Sequence, residues 1–273
     1  MKRTYTIGEV VTYLDSMFHP EYQEDYDNAG FLLGDSTTTY TGALVALDLT
    51  PKVIDEALQA GDVNLIVTHH PFIFSGLKRI TDNSEAGRMV IQLVKNGISV
   101  YAAHTNLDNL PWGVNGVLAE KLGIINYHTL RPVDTELKRS RKKATIGAGM
   151  IGAIPRAMKV DKYLQNVKKI TNQPSIRTST HNPKQRIHYV AICGGTGSFL
   201  IDDAIAAGAD LFITADLKYH DFQRAEDRII LADVGHYETE QFAKEIISRV
   251  ISEKFSNFAC RISDNQRSLV QYI

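Results

Sequence analysis

The sequence predicts an α/β protein of two related halves, each a parallel or mixed sheet flanked by helices. Three observations carry that prediction. Short apolar runs alternate with amphipathic stretches at helical spacing, the pattern of strand–helix–strand units. Ile54-Asp55-Glu56-Ala57-Leu58-Gln59-Ala60-Gly61 is echoed by Ile201-Asp202-Asp203-Ala204-Ile205-Ala206-Ala207-Gly208. With one residue dropped, Leu65-Ile66-Val67-Thr68 is likewise echoed by Leu211-Phe212-Ile213-Thr214. The next strand-like run in each half delivers a histidine and, four residues later, an acid: His104 with Asp108, then His236 with Glu240. Any two such units share Ala, Gly and apolar composition, so the echo alone is weak. The repeated His-x-x-x-acid is what favours an internal duplication. The 273 residues suffice for one large domain or two modest ones. The division expected is a first half over 1–125, on which the segment 236–273 can pack, and a second over 126–235. A metal site then lies between the halves.

The elements follow in order. Thr6 and Glu9 form a capping box, and Val10, Leu14 and Met17 then repeat at helical spacing. Ala43–Leu47 reads as a strand. Thr50, Pro51 and Gly61 start and stop a helix. Leu65–Thr68 is a strand, a helix surrounds Glu85–Lys95, Ile98–Ala103 is a strand and Val114–Leu122 a helix. In the second half Val190–Cys193 is a strand, Leu200–Ala207 a helix, and Leu211–Thr214 and Ile229–Ala232 strands. Residues 173–187, with Pro174 and Pro183 among many polar residues, read as a loop or edge hairpin. The basic run Lys138–Lys143 could touch phosphate, but charge runs are usually solvated loops.

Composition excludes several classes. Hydrophobic content is 44%, charged content 22% and net charge −1, so no broad pull toward nucleic acid or membrane follows. No apolar run approaches the ~20 residues that span a bilayer, and the N-terminus opens on an amphipathic helix pattern rather than a signal core. A cytoplasmic protein is expected. Cys193 and Cys260 are far apart and form no CxxC, which suggests neither a disulfide framework nor a thiolate zinc site.

The chemistry lies at the strand ends. A third apolar run delivers His69 and His70 side by side before Pro71. Imidazole with carboxylate and almost no cysteine is a ligand set for hard-to-borderline divalent metals. Open α/β sheets place their sites at the carboxyl ends of strands. Adjacent residues of an extended chain diverge, so His69 and His70 are expected to serve two different ions. If 237–240 is helical, His236 and Glu240 share a face. His69, His70, Asp108, His236 and Glu240 make a dinuclear set in which a carboxylate can bridge. Two metals roughly 3.5–4 Å apart activate water and stabilise a developing oxyanion. His104 either approaches the metals or orients Asp108, the second being favoured. His220 is the candidate proton carrier, and a surface histidine at a helix start is its equal alternative. Gly194-Gly195-Thr196-Gly197-Ser198, between a strand and a helix, could turn backbone N–H groups toward a phosphate, though it matches neither Walker A nor G-x-G-x-x-G. Cys193 beside it reads as packing.

Several motifs occur together and in order: Thr-His-His-Pro-Phe-Ile-Phe (68–74), His-Thr-Asn-Leu-Asp (104–108), Cys-Gly-Gly-Thr-Gly-Ser (193–198), Thr-Ala-Asp-Leu-Lys-Tyr-His (214–220) and Gly-His-Tyr-Glu-Thr-Glu (235–240). With Asp27-Asn28-Ala29-Gly30-Phe31 and Gly34, this series resembles the Nif-three-like family, whose members are often named GTP cyclohydrolase 1 type 2 homologues. The resemblance runs from about residue 5 to the C-terminus. It implies two intertwined α/β domains, a dinuclear centre and a toroidal homohexamer. Some relatives carry an inserted domain for which this chain is too short. The family's metal ligands fall on His69, His70, Asp108, His236 and Glu240. One departure is Ala215, where the family commonly has Gly; Asp216 and His220 are kept.

The leading functional expectation is a hydrolase using two divalent ions (zinc, iron or manganese) on a nucleotide or a small phosphorylated or heterocyclic substrate. True to the family name, the attack would fall on C8 of a guanine ring. A dinuclear phosphoesterase is the alternative enzyme. A metal-binding regulatory or interaction protein without turnover is the alternative of another class. Against the last stand the non-ligand polar residues Asn106, Lys218, His220 and Glu238, for which a scaffold has less need.

Overall fold

The computed structural model describes residues 4–133, 145–180 and 182–273; the basic run 138–143 lies outside them. In chain order the main elements are α1 (Ile7–Met17), β1 (Gly30–Leu33), β2 (Gly42–Ala46), α2 (Pro51–Ala60), β3 (Leu65–Thr68), α3 (Glu85–Lys95), β4 (Ser99–Ala102) and the single turn α4 (Thr105–Asp108). Then come α5 (Val114–Lys121), β5 (Ile125–Pro132), β6 (Gly147–Lys159), α6 (Val160–Thr171), β7 (Arg177–Thr178) and β8 (Arg186–Thr196). α7 (Ile201–Ala206), β9 (Leu211–Ala215), α8 (Tyr219–Ala225), β10 (Ile230–Asp233), α9 (His236–Glu240), α10 (Ala243–Lys254) and β11 (Ala259–Ile262) complete the series.

Two compact units emerge. Unit 1 comprises 1–107 and 243–267, and unit 2 comprises 108–242 and 268–273. Unit 1 is built on a five-stranded sheet of order β1-β4-β3-β2-β11, parallel except for β1. Every residue of β2, β3 and β4 is buried, as expected of parallel strands covered on both faces. The helices begin where the sequence marks them. Thr6 and Glu9 close a reciprocal capping box on α1. The Thr50 side chain caps α2, which ends on Gly61 at φ +70°, in the left-handed region open to glycine. Apolar faces of α2 (Val53, Ile54, Ala57) and α3 (Met89, Leu93) pack on Leu44, Ile66 and Val100 of the sheet.

Unit 2 holds a six-stranded sheet of order β5-β6-β8-β9-β10-β7, in which β8, β9 and β10 are parallel and the others antiparallel. Strand alternation divides its core in two. Val190, Ile192, Leu211, Ile213 and Ile230 meet Leu118 of α5 and Tyr163 and Val167 of α6. Ala191, Cys193, Phe212 and Leu231 meet Ile201 and Ala204 of α7. Cys193 is therefore a packing residue.

The duplication is visible in topology. Helix, edge strand, strand, helix, strand, helix, strand recurs as α1-β1-β2-α2-β3-α3-β4 and α6-β7-β8-α7-β9-α8-β10. In both, the three later strands are parallel neighbours and the first pairs antiparallel with the last. A histidine turn, α4 or α9, follows each. The expected loop 173–187 contains the short strand β7, and β8 extends from Arg186 well past Cys193 to Thr196. No helix among the described residues is long and apolar enough to cross a membrane.

Candidate metal centre

In unit 1 the site is made where β3 and β4 end. His69 and His70 follow Thr68, the last residue of β3, and His104 stands two residues after β4. One ring nitrogen from each of the three lies within 4.8 Å of the others. The expected divergence of His69 and His70 is corrected here. Their ring centroids are 5.0 Å apart, because the chain has left the strand before the pair and alternation no longer applies.

Each imidazole is held by Nδ1. His69, fully buried, has Nδ1 2.7 Å from the Ala103 carbonyl oxygen. His70 Nδ1 is 2.7 Å from Asp48 Oδ1, and His104 Nδ1 is 2.7 Å from Asp27 Oδ1. A carbonyl oxygen or an ionised carboxylate only accepts, so each Nδ1 carries the hydrogen. In its neutral form such a ring presents an Nε2 lone pair. Thr105 donates to Asp27 from its N–H at 3.0 Å and from its hydroxyl, and Asn28 N donates to it at 2.7 Å. Burial raises the Asp27 pKa, but the His104 bond and charge and the two neighbours prevail and hold it at about 2. Gln266 braces the turn behind His70: its Oε1 accepts from Leu47 N at 2.7 Å and from Asp48 N at 3.0 Å. Asn106, buried, donates to Phe18 O and accepts from His104 N at 2.9 Å, so it brackets the His104 backbone.

In unit 2, β8, β9 and β10 converge on a second set. Asp216 follows β9 with φ +57°, uncommon for a residue with a Cβ and more readily adopted by Asp than most. Its Oδ2 accepts from Thr196 Oγ1 and from His236 Nδ1 at 2.6 Å. On the other side of the ring, His236 Nε2 lies 2.9 Å from Glu240 Oε2, one helical turn away in α9. Burial lowers the His236 pKa, but the two carboxylates outweigh it and raise it to about 11. The His236 bond, with help from Thr196, draws the Asp216 carboxyl below its ordinary range. Asp108 closes α4, and its carbonyl accepts from Asn115 Nδ2 at 3.1 Å.

Gly194 and Gly195 of β8 are fitted closely against Glu240. Gly194 N donates to Asn115 Oδ1 at 2.8 Å and Gly195 N to Thr239 Oγ1 at 3.0 Å. The N–H groups of Gly194 and Gly195 are thus engaged within the protein. A Cβ at Gly195 would overlap Glu240 Oε1. His220 is exposed on the first turn of α8, with Nδ1 3.2 Å from Gln223 Oε1. Lys218 is exposed at the start of that helix, while Glu238 is buried in α9.

The donor set fits a divalent ion. It offers imidazole nitrogens and carboxylate oxygens without a thiolate, and one ring nitrogen from each of His69, His70 and His104 comes within 4.8 Å of the others. Sequence reasoning missed the supporting roles of Asp27 and Asp48 and did not connect Asp216 with His236. The available signal was position: Asp48 and Asp216 each stand just past the carboxyl end of a parallel strand.

The family model Duf34/NIF3 (NGG1p interacting factor 3) matches residues 5–268. A GTP cyclohydrolase 1 type 2 homolog from Clostridium acetobutylicum is 32% identical over 230 residues, covering 83% of this chain and 82% of that protein. A Staphylococcus aureus hypothetical protein superposes with TM-score 0.88 at 28% identity, over 99% of this chain and 100% of the other. A Bacillus cereus protein related to NIF3 reaches TM-score 0.91 at 24% identity over the whole of both chains, a likeness of fold. The chain belongs to the Duf34/NIF3 family.

Proposed function

We propose that the protein is a divalent-metal-dependent hydrolase. Its dinuclear centre is formed by His69 and His70 with Asp108, His236 and Glu240, and its substrate is a nucleotide or a small phosphorylated or heterocyclic molecule. The observation that supports this best is the shared orientation of four imidazoles. His69, His70, His104 and His236 each have Nδ1 on a carbonyl or carboxylate oxygen, which makes Nε2 the atom each would turn to an ion, at His236 in exchange for its contact with Glu240. Packing histidines have no need to agree in this way. When bound, such ions supply Lewis acidity and make water at the site more acidic. The chain's own part is to orient the ligands His70 and His236 through Asp48 and Asp216, to hold His104 against the His69–His70 pair through Asp27, and to neutralise the cations with Asp108 and Glu240. Relatives named GTP cyclohydrolase 1 type 2 homolog support a guanine nucleotide as the first substrate to try.

The test is reconstitution of purified protein with zinc, manganese or iron(II), elemental analysis, and product analysis after incubation with GTP and a generic phosphoester. Two ions per chain are expected, with ring-opened or dephosphorylated product. A saturating stoichiometry of one would overturn the dinuclear centre. Full metal loading without turnover of either compound would favour a metal-binding regulatory protein. The proposal extends to a homohexamer, to be read by light scattering; a mass near the 30.4 kDa of one chain would refute it.

A further inference from the structure

We propose that Tyr26 and Phe74 form a stacking platform beside the imidazole cluster of unit 1, which takes the flat fused ring of a purine-type ligand. The inference rests on the hydrolase reading and names its substrate class more narrowly.

Tyr26 is 62% exposed and Phe74 51% exposed. Their ring centroids are 6.3 Å apart and their planes are tilted by 37°. Both rings are thus exposed neighbours, each with part of its surface open to a ligand. Together they offer an apolar surface longer than one six-membered ring, suited to a fused bicycle. Phe74 also lies 6.5 Å from His104 at 79°, and His104 is 5.3 Å from His69 and 5.4 Å from His70. The platform therefore borders the imidazole cluster through His104.

The aromatics are also held in place. Asn28 Nδ2 donates to the Ile73 carbonyl at 2.6 Å, tying the Phe74 segment to the Tyr26 segment. Between Tyr26 and Asn28, Asp27 is fixed by His104 and Thr105. The bonds that orient an imidazole thus also fix the backbone of the platform. Pre-organisation lowers the entropic cost of binding a ligand. Flat π-faces recognise bases by stacking, with little dependence on their edge pattern.

The experiment titrates the full chain, with and without bound zinc, with guanosine 5′-monophosphate as probe and ribose 5-phosphate as ring-free control. Phe74→Ala and Tyr26→Ala are each expected to weaken nucleotide binding about tenfold. Phe74→Tyr and Tyr26→Phe are expected to retain it. Ribose 5-phosphate binding and zinc content should stay constant throughout. The proposal is overturned if wild type binds the two probes equally, or if the alanine variants bind the nucleotide as wild type does. It is equally overturned if they change only the light-scattering mass, which would make the pair an interface between copies. Failure of wild type to take up zinc would sink the metal reading alone, because the nucleotide series still reports on the platform.

Discussion

Replacing Gly195 by alanine tests whether Glu240 is held where an ion needs it. Gly195 has φ +59°, and its Cβ would overlap Glu240 Oε1, lie 2.9 Å from Cδ and fall 3.3 Å from His236 Cε1. Glu240 cannot easily swing away, since its side chain is only 5% exposed and pairs with His236 at 2.9 Å. Two costs must be separated. A left-handed backbone with a Cβ costs about 1–2 kcal/mol wherever it occurs. Displacing the carboxylate costs metal affinity. Gly208 supplies the control, because it has φ +75° and nothing within 4 Å of its Cβ position. Gly208→Ala and Gly195→Ala should both lower the metal-free melting temperature, by roughly 2–8 °C at about 2–4 °C per kcal/mol. Gly195→Ala alone should weaken zinc binding, by about 10–100-fold, the range found when the setting of a metal ligand is disturbed. Calorimetric zinc titration beside thermal unfolding separates the effects. Equal zinc affinities in the two variants would refute the reasoning that Glu240 is a ligand held by the β8 glycines.

Further outcomes follow from the same geometry. His236 is raised from 6.5 to about 11, so its stabilising contribution is complete below the unfolded value and is lost as pH rises through about 11. Metal-free protein should therefore lose stability between those limits, and zinc uptake near neutral pH should release a proton. A calorimetric enthalpy independent of buffer ionisation would contradict this. Asp48→Asn and Asp27→Asn should each lower metal affinity about 10–100-fold while leaving the far-ultraviolet circular dichroism unchanged; wild-type affinity in both would remove the orienting role. Although burial opposes it, the Glu56 carboxyl is lowered by hydrogen bonds from Ser263, Asn265 and Asp264. Its contribution is present above the unfolded carboxylate value and lost as pH falls through the folded one. Glu56→Gln should thus lessen the fall in stability on acidification, and an unchanged acid limb would argue against it.

Much of this was legible because polar residues at the ends of apolar runs stand out. β3 lies on its expected residues, β2 is one residue earlier, and the capping box on α1 forms as read. The histidines needed only local pattern. Their supporting acids did not show, because the pairings are not local: Asp27 meets His104 across 77 positions, and Asp48 meets His70 across 22. β6 escaped notice because Gly, Ala and Pro dominate Gly147–Lys159, residues of low strand propensity, of which Gly147, Ala148, Gly149 and Gly152 are buried here by their neighbours. β11 is a half-exposed edge whose partner β2 is distant in sequence, so no local signal marks it.

The discontinuity of unit 1 sets an order of events during synthesis. Its sheet needs Ala259–Ile262 alongside Gly42–Ala46, and α10 buries Ile246, Ile247, Val250 and Ile251. Neither is available until the whole of 108–242 has left the ribosome. The first 107 residues must wait with one edge of β2 unpaired, while unit 2 can assemble nearly all of its own contacts from continuous sequence. Closing so long a loop is slow, and an open strand edge invites wrong pairing in the interval.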